Sequence, residues 1–84
     1  MANTQEEATV TALSGKERKR YAVTRLNSSL PHIRRSESIT FSLSGAWTGE
    51  CEPVVGQIVL LERITRFLRG WRAIVARPCN RRRN

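Results

Sequence analysis

From Ser38 to Ser44 the chain alternates without a break, with Ile39, Phe41 and Leu43 on one side and Ser38, Thr40, Ser42 and Ser44 on the other. A period of two is the signature of a half-buried β-strand, apolar face inward and hydroxyls outward. Whatever this chain becomes must seat that strand against a core. Tyr21 to Leu26 (YAVTRL) alternates in the same way and has β-branched members, so a second strand is expected there. Between the two, Asn27-Ser-Ser breaks the pattern, and Pro31 with Arg34-Arg35 keeps the connection a loop. After the strand come Gly45, Trp47 and a turn-rich stretch from Gly49 to Pro53, with Trp47 read as a core residue.

The segment 54–76 reads in two ways. As strands, Gln57 to Phe67 pairs across Leu68-Arg69-Gly70 with Trp71 to Arg77, and Gly70 sits at the turn where a positive φ is cheap. As a helix, at about 100° per residue, Leu60, Leu61, Ile64, Phe67, Leu68, Trp71, Ile74 and Val75 gather on one face. Arg63, Arg66, Arg69 and Glu62 then take the opposite face, with Arg72 at its border. Gly56 and Gly70 count against that helix by about 1 kcal/mol each. The helical form would be a cationic amphipathic element suited to an anionic membrane surface or a partner protein.

Eighty-four residues suffice for one modest core, and self-association to complete it fits the size. Residues 1–18 are polar and read as a flexible tail, with a faint strand alternation at Val10 and Ala12; 19–78 form the domain and 79–84 a disordered Arg-rich tail. The start, MANTQEEATV, has neither a basic nor an apolar signal region, which points to a cytoplasmic protein. Cys51 and Cys79 are then two reduced thiols. With His32 as the only histidine, the chain is short of the four Cys or His that a structural zinc takes, so neither metal nor cofactor is expected.

Charge is the strongest functional signal. Fifteen Lys and Arg oppose seven acidic residues, all Glu, for a net charge of +8. Up to Glu62 the two signs balance; from Arg63 onward there are only arginines. A single-sign surface is tolerated most readily where an anionic partner relieves its self-repulsion. Thirteen of the fifteen cations are Arg, whose planar fork suits bidentate phosphate contacts. Arg63, Arg66, Arg69 and Arg72, with Phe67 and Trp71 between them, match the mixture of cations and rings used on single-stranded nucleic acid. Arg77, the Arg81-Arg82-Arg83 tail and the Arg34-Arg35 pair extend the expected surface for RNA or DNA. No catalytic constellation assembles: one His has only Glu as an acid partner, and no Gly-rich phosphate loop is present.

The stretch Ile39-Thr40, Leu43, Gly45-x-Trp47, then Gly56-x-Ile58-Val59 resembles the SymE-like toxins of type I toxin–antitoxin systems over about residues 19–78. The resemblance implies a small swapped-hairpin β-barrel related to AbrB and MazE, built as a homodimer. It also implies nucleic acid binding with RNA endonuclease activity. This chain departs from the family in a longer Gly56–Val75 segment and in Pro53, and no catalytic residue carries over by position. The sequence therefore leads to a mainly β, AbrB-like barrel that binds RNA or DNA through its Arg-rich C-terminal half.

Overall fold

The computed structural model describes residues 5–79, and within them the expectation of a mainly β barrel is met. The strands are β1 (Glu6–Ser14), β2 (Tyr21–Leu26), β3 (Ser38–Ser42), β4 (Ile58–Phe67) and β5 (Gly70–Pro78); among the described residues the only helical piece is one 3-10 turn at Glu17–Lys19. They close in the order β1-β2-β3-β5-β4. One chain supplies all five strands: β1 pairs with β2 on one side and with β4 on the other. Every neighbour pair is antiparallel except β3 and β5, which run parallel from the Ile39–Trp71 rung. Closure leaves no open sheet edge, the hazard of a small β protein.

The helical alternative for 54–76 is not formed. Residues 58–78 make the β4–β5 hairpin in one continuous register, from Val59 opposite Pro78 to Phe67 opposite Gly70. Gly70 takes φ +126°, which side chains other than glycine rarely adopt. Helix and hairpin are told apart by pairing with β1 and β3, partners that lie far away in sequence. Among the described residues no helix is long and apolar enough to cross a membrane.

The polar N-terminal tail expected over 1–18 is also corrected. Residues 6–14 are β1, a barrel strand in which Ala8 and Val10 are wholly buried. Its alternation is faint because a register shift between Val10 and Ala12 inserts an extra residue, Thr11. That bulge moves the inward positions from Ala8 and Val10 to Leu13, so no single period runs through the strand.

The core is small and sealed from both ends. Ala22, Leu26, Ile39, Phe41, Val59, Leu61, Ala73 and Ala76 fill it from the strands. Thr24, fully buried on β2, satisfies its hydroxyl by donating to the Ile39 carbonyl at 2.8 Å. Ile33, from the β2–β3 connection, enters at one end; its N–H and carbonyl pair with those of Leu30. Trp47, from the connection after β3, closes the other end. Half-buried, it stacks on Phe41 with ring centroids 5.6 Å apart, and its indole N–H donates to the Cys51 carbonyl at 2.9 Å. Gly49 lies under that ring so closely that a Cβ would sit 2.5 Å from it. Trp47 is thus the packing residue expected from its place after the apolar row.

Candidate nucleic-acid interface

With Ile39 and Phe41 turned inward, β3 leaves its hydroxyl side to the outside, as the strict alternation requires. Beside it on β2, Ala22, Thr24 and Leu26 face in, which leaves Tyr21 at the surface opposite Ser42. This outer face is the floor of a groove of about 490 Å³ lined by Lys19, Arg20, Tyr21, Thr40, Phe41, Ser42, Arg69 and Arg72. The cations converge from two ends of the sequence. Lys19 and Arg20 come off the turn before β2, whereas Arg69 and Arg72 come from the tip of the β4–β5 hairpin, with Arg72 beside Thr40 across the parallel pair. Among the described residues no carboxylate lines the groove. Guanidinium groups over a bed of hydroxyls can hold several phosphate oxygens by charge-assisted hydrogen bonds.

A smaller recess of about 90 Å³ adjoins it, sharing Thr40, Arg69 and Arg72 and adding Phe67 and Trp71. The two rings differ. Trp71 packs against the core from its rim, donates its indole N–H to Glu37 at 2.7 Å and carries the Arg66 guanidinium 5.3 Å from its centroid. Phe67 is 41% exposed and held under the Arg72 guanidinium at 4.9 Å. A cation–π contact of this kind at an exposed site is an attraction of about 0.5–1 kcal/mol.

The expected site residues divide. Arg69 and Arg72 line the groove, and Arg66 lies over Trp71, which lines the adjoining recess. Arg77 is engaged elsewhere: its Nε donates to Glu62 at 2.9 Å. Glu62 is almost fully buried and also accepts from the Gln5 amide at 2.6 Å. The Gln5 hydrogen bond, then the Arg77 charge and hydrogen bond, hold the Glu62 carboxyl below the ordinary carboxylate value against the opposing effect of burial. Arg63 is exposed on β4 at φ +56°, outside the groove lining, so the evenly spaced arginine series is not one surface. Arg34 and Arg35 are exposed in the β2–β3 connection. There Glu37 accepts the Arg34 backbone N–H. The Trp71 indole, then that N–H and the charges of Arg66 and Arg34, keep the Glu37 carboxyl low. Arg81, Arg82 and Arg83 fall outside the described residues.

Sequence reasoning missed Lys19, Arg20 and Tyr21 as site residues, because a KERKR run ahead of a strand reads as a solvated lead-in. The signal was the aromatic residue directly after the run. Arg20 also lines a second depression of about 300 Å³ with Glu17, Glu50 and Glu52, and its guanidinium pairs with Glu52 at 2.5 Å. His32, the lone imidazole, lies tilted against Trp71 at 5.6 Å. Among the described residues no group of His, Cys or acidic side chains is placed to hold a metal ion, and both cysteines are free thiols. Comparison with family models, with curated proteins and with solved structures returns no match.

Proposed function

We propose that this barrel binds single-stranded RNA or DNA in the cytoplasm along the groove between the β2–β3 outer face and the β4–β5 tip. The lining of the groove carries the reading: four cations from distant parts of the chain converge on hydroxyls, with no acid among them and with Tyr21 and Phe67 exposed alongside. Phosphates would take Lys19, Arg20, Arg69 and Arg72, and bases would stack on the rings, a mode that tolerates any sequence because every base has a π-face. A duplex hides those faces, so single strands are the better fit. The strand order, with its parallel β3–β5 pair, is the Greek-key arrangement of OB-type barrels, whose strand 2–3 face takes oligonucleotides and oligosaccharides. A shared arrangement does not by itself carry a function. The charge and the rings are what select nucleic acid over sugar.

Fluorescence anisotropy with labelled, unstructured RNA and DNA strands and a matched duplex tests the proposal across a salt series. Four phosphates neutralised on a single strand should give log K against log salt a slope near about −3. A flat slope, or a duplex bound as tightly as either strand, overturns it. Electrophoresis of the same RNA after incubation reads the cleavage that the SymE resemblance implies; intact RNA with tight binding makes the protein a binder alone.

A further inference from the structure

The barrel does not need the end of its longest hairpin. Pairing between β3 and β5 begins at Ile39–Trp71, yet β4 and β5 continue past that rung through Phe67–Gly70. Residues 65–69 are all exposed, and none of them belongs to the core or packs against it. At the turn stands Leu68, fully exposed, where a two-residue connection ordinarily carries polar or small residues. Phe67 precedes it, and Arg66 and Arg69 flank the pair. An apolar point flanked by cations, on a hairpin end that contributes nothing to the core, calls for an occupant both anionic and able to accept an aliphatic group. The hairpin end is continuous with the groove, since Phe67 and Arg69 line the small recess while Arg69 and Arg72 line the large one.

Building on the nucleic-acid reading, we propose that the β4–β5 tip is a wedge for junctions between single-stranded and paired nucleic acid. Leu68 enters beside the last base pair and takes the place of a stacked neighbour, while the unpaired strand lies in the groove and Arg66 and Arg69 hold the phosphates on either side. Aliphatic and aromatic side chains inserted between base steps unstack them and kink the duplex, at an energetic cost. That cost is smallest where one side of the step is already open, which is why the junction, and not continuous duplex, is the substrate class. The strand released at the junction then gains the contacts of the groove.

The test uses the full chain and a hairpin oligonucleotide with a single-stranded overhang, with a fluorescent adenine analogue at the first paired position. Unstacking brightens the analogue. The wild-type protein should raise its fluorescence several-fold and lower the melting temperature of the stem. Leu68→Ser should bind an unstructured strand as tightly as wild type but lose most of the rise. Because Leu68 packs against nothing in the barrel, a folding defect is not expected, and circular dichroism verifies this. An equal rise with Leu68→Ser, or no rise while unstructured strands bind, overturns the wedge and leaves the groove reading standing. Failure to bind any strand overturns both. Sedimentation with anionic vesicles that Leu68→Ser abolishes would assign the tip to a lipid surface and likewise overturn the wedge.

Discussion

The base and the tip of the β4–β5 hairpin share one register and little else. At the base, Val59 and Leu61 on β4 and Ala73 and Ala76 on β5 are buried to within 1% of their surface, and Glu62 is satisfied by Gln5 and Arg77. At the tip every side chain from Thr65 to Arg69 is exposed, Arg69 lines the groove and Arg66 lies over the Trp71 ring. The crossover falls at Arg63, whose positive φ lies between Leu61, buried in the core, and Ile64, packed on it three positions later. Strict alternation would put those two on opposite faces, and the kink reconciles them. Under the proposed function, a protein of this size keeps stability and recognition on one element by dividing it lengthwise. Substitutions in the two halves should then fail in different ways.

The largest effect belongs to the base. Leu61→Ala leaves a cavity among closed strands and should cost about 2–5 kcal/mol. A domain with a modest total stability would lose most of it. Urea unfolding followed by tryptophan fluorescence measures this. A Leu61→Ala protein that stays as stable as wild type but no longer binds strands would break the division.

At the tip the expected loss is in affinity. Arg72→Ala and Arg69→Ala should each weaken strand binding by about three- to tenfold and flatten the salt slope by about 0.7. Their melting temperatures should stay within a degree or two of wild type, as surface changes usually do. Arg63→Ala should bind normally, since that side chain lies outside the groove. Equal losses at Arg63, Arg69 and Arg72 would restore the single arginine face that a helix implies.

These unequal arginines also show how far the sequence reaches. β2 and β3 were legible because their apolar residues keep one period, and a hairpin over 57–77 was one of two readings. β1 was not, since the bulge at Thr11 hides its period and its partners lie on β2 and β4. Arg69 and Arg72 were named only as members of a series that also held Arg63 and Arg66. Their companions Lys19 and Arg20 were not named, because only barrel closure brings the two ends of the chain together. Local pattern reports which face a residue takes; it does not report what lies across from that face.

Acid should act on the base and spare the tip. The folded Glu62 carboxyl titrates below the ordinary carboxylate value, so its stabilising effect is full above the unfolded value and fades as pH falls through the folded one. Thermal melts from neutral pH down to strongly acid conditions should show a decline below about pH 4.5, shallower in Glu62→Gln than in wild type. An identical decline in the variant would remove Glu62 from the account. The kink itself gives a smaller shift of the opposite sign. Arg63→Gly relieves a left-handed conformation and should gain up to about 1 kcal/mol, offset in part by the flexibility glycine adds to the unfolded chain.

The smallest effect concerns the seam between the basic groove and the acidic depression behind it. Arg20 lines both, and its guanidinium is held by Glu52 at 2.5 Å with each side chain partly in solvent, 34% and 52% exposed. An exposed pair of this kind is worth about 0–1 kcal/mol, which is small enough for a phosphate to displace. Binding should therefore proceed by exchange, Arg20 leaving Glu52 for the strand, and the pair should subtract only its own small energy from the affinity. Glu52→Gln should then bind up to about fivefold more tightly at low salt, the upper end of that range. The gain should shrink as salt screens the pair. Arg20→Ala should bind more weakly than wild type, and adding Glu52→Gln to it should change nothing, because the carboxylate then has no guanidinium to hold. If Glu52→Gln tightens binding in the Arg20→Ala background as well, the carboxylate repels the strand directly, and the groove reaches further toward Trp47 than its lining suggests.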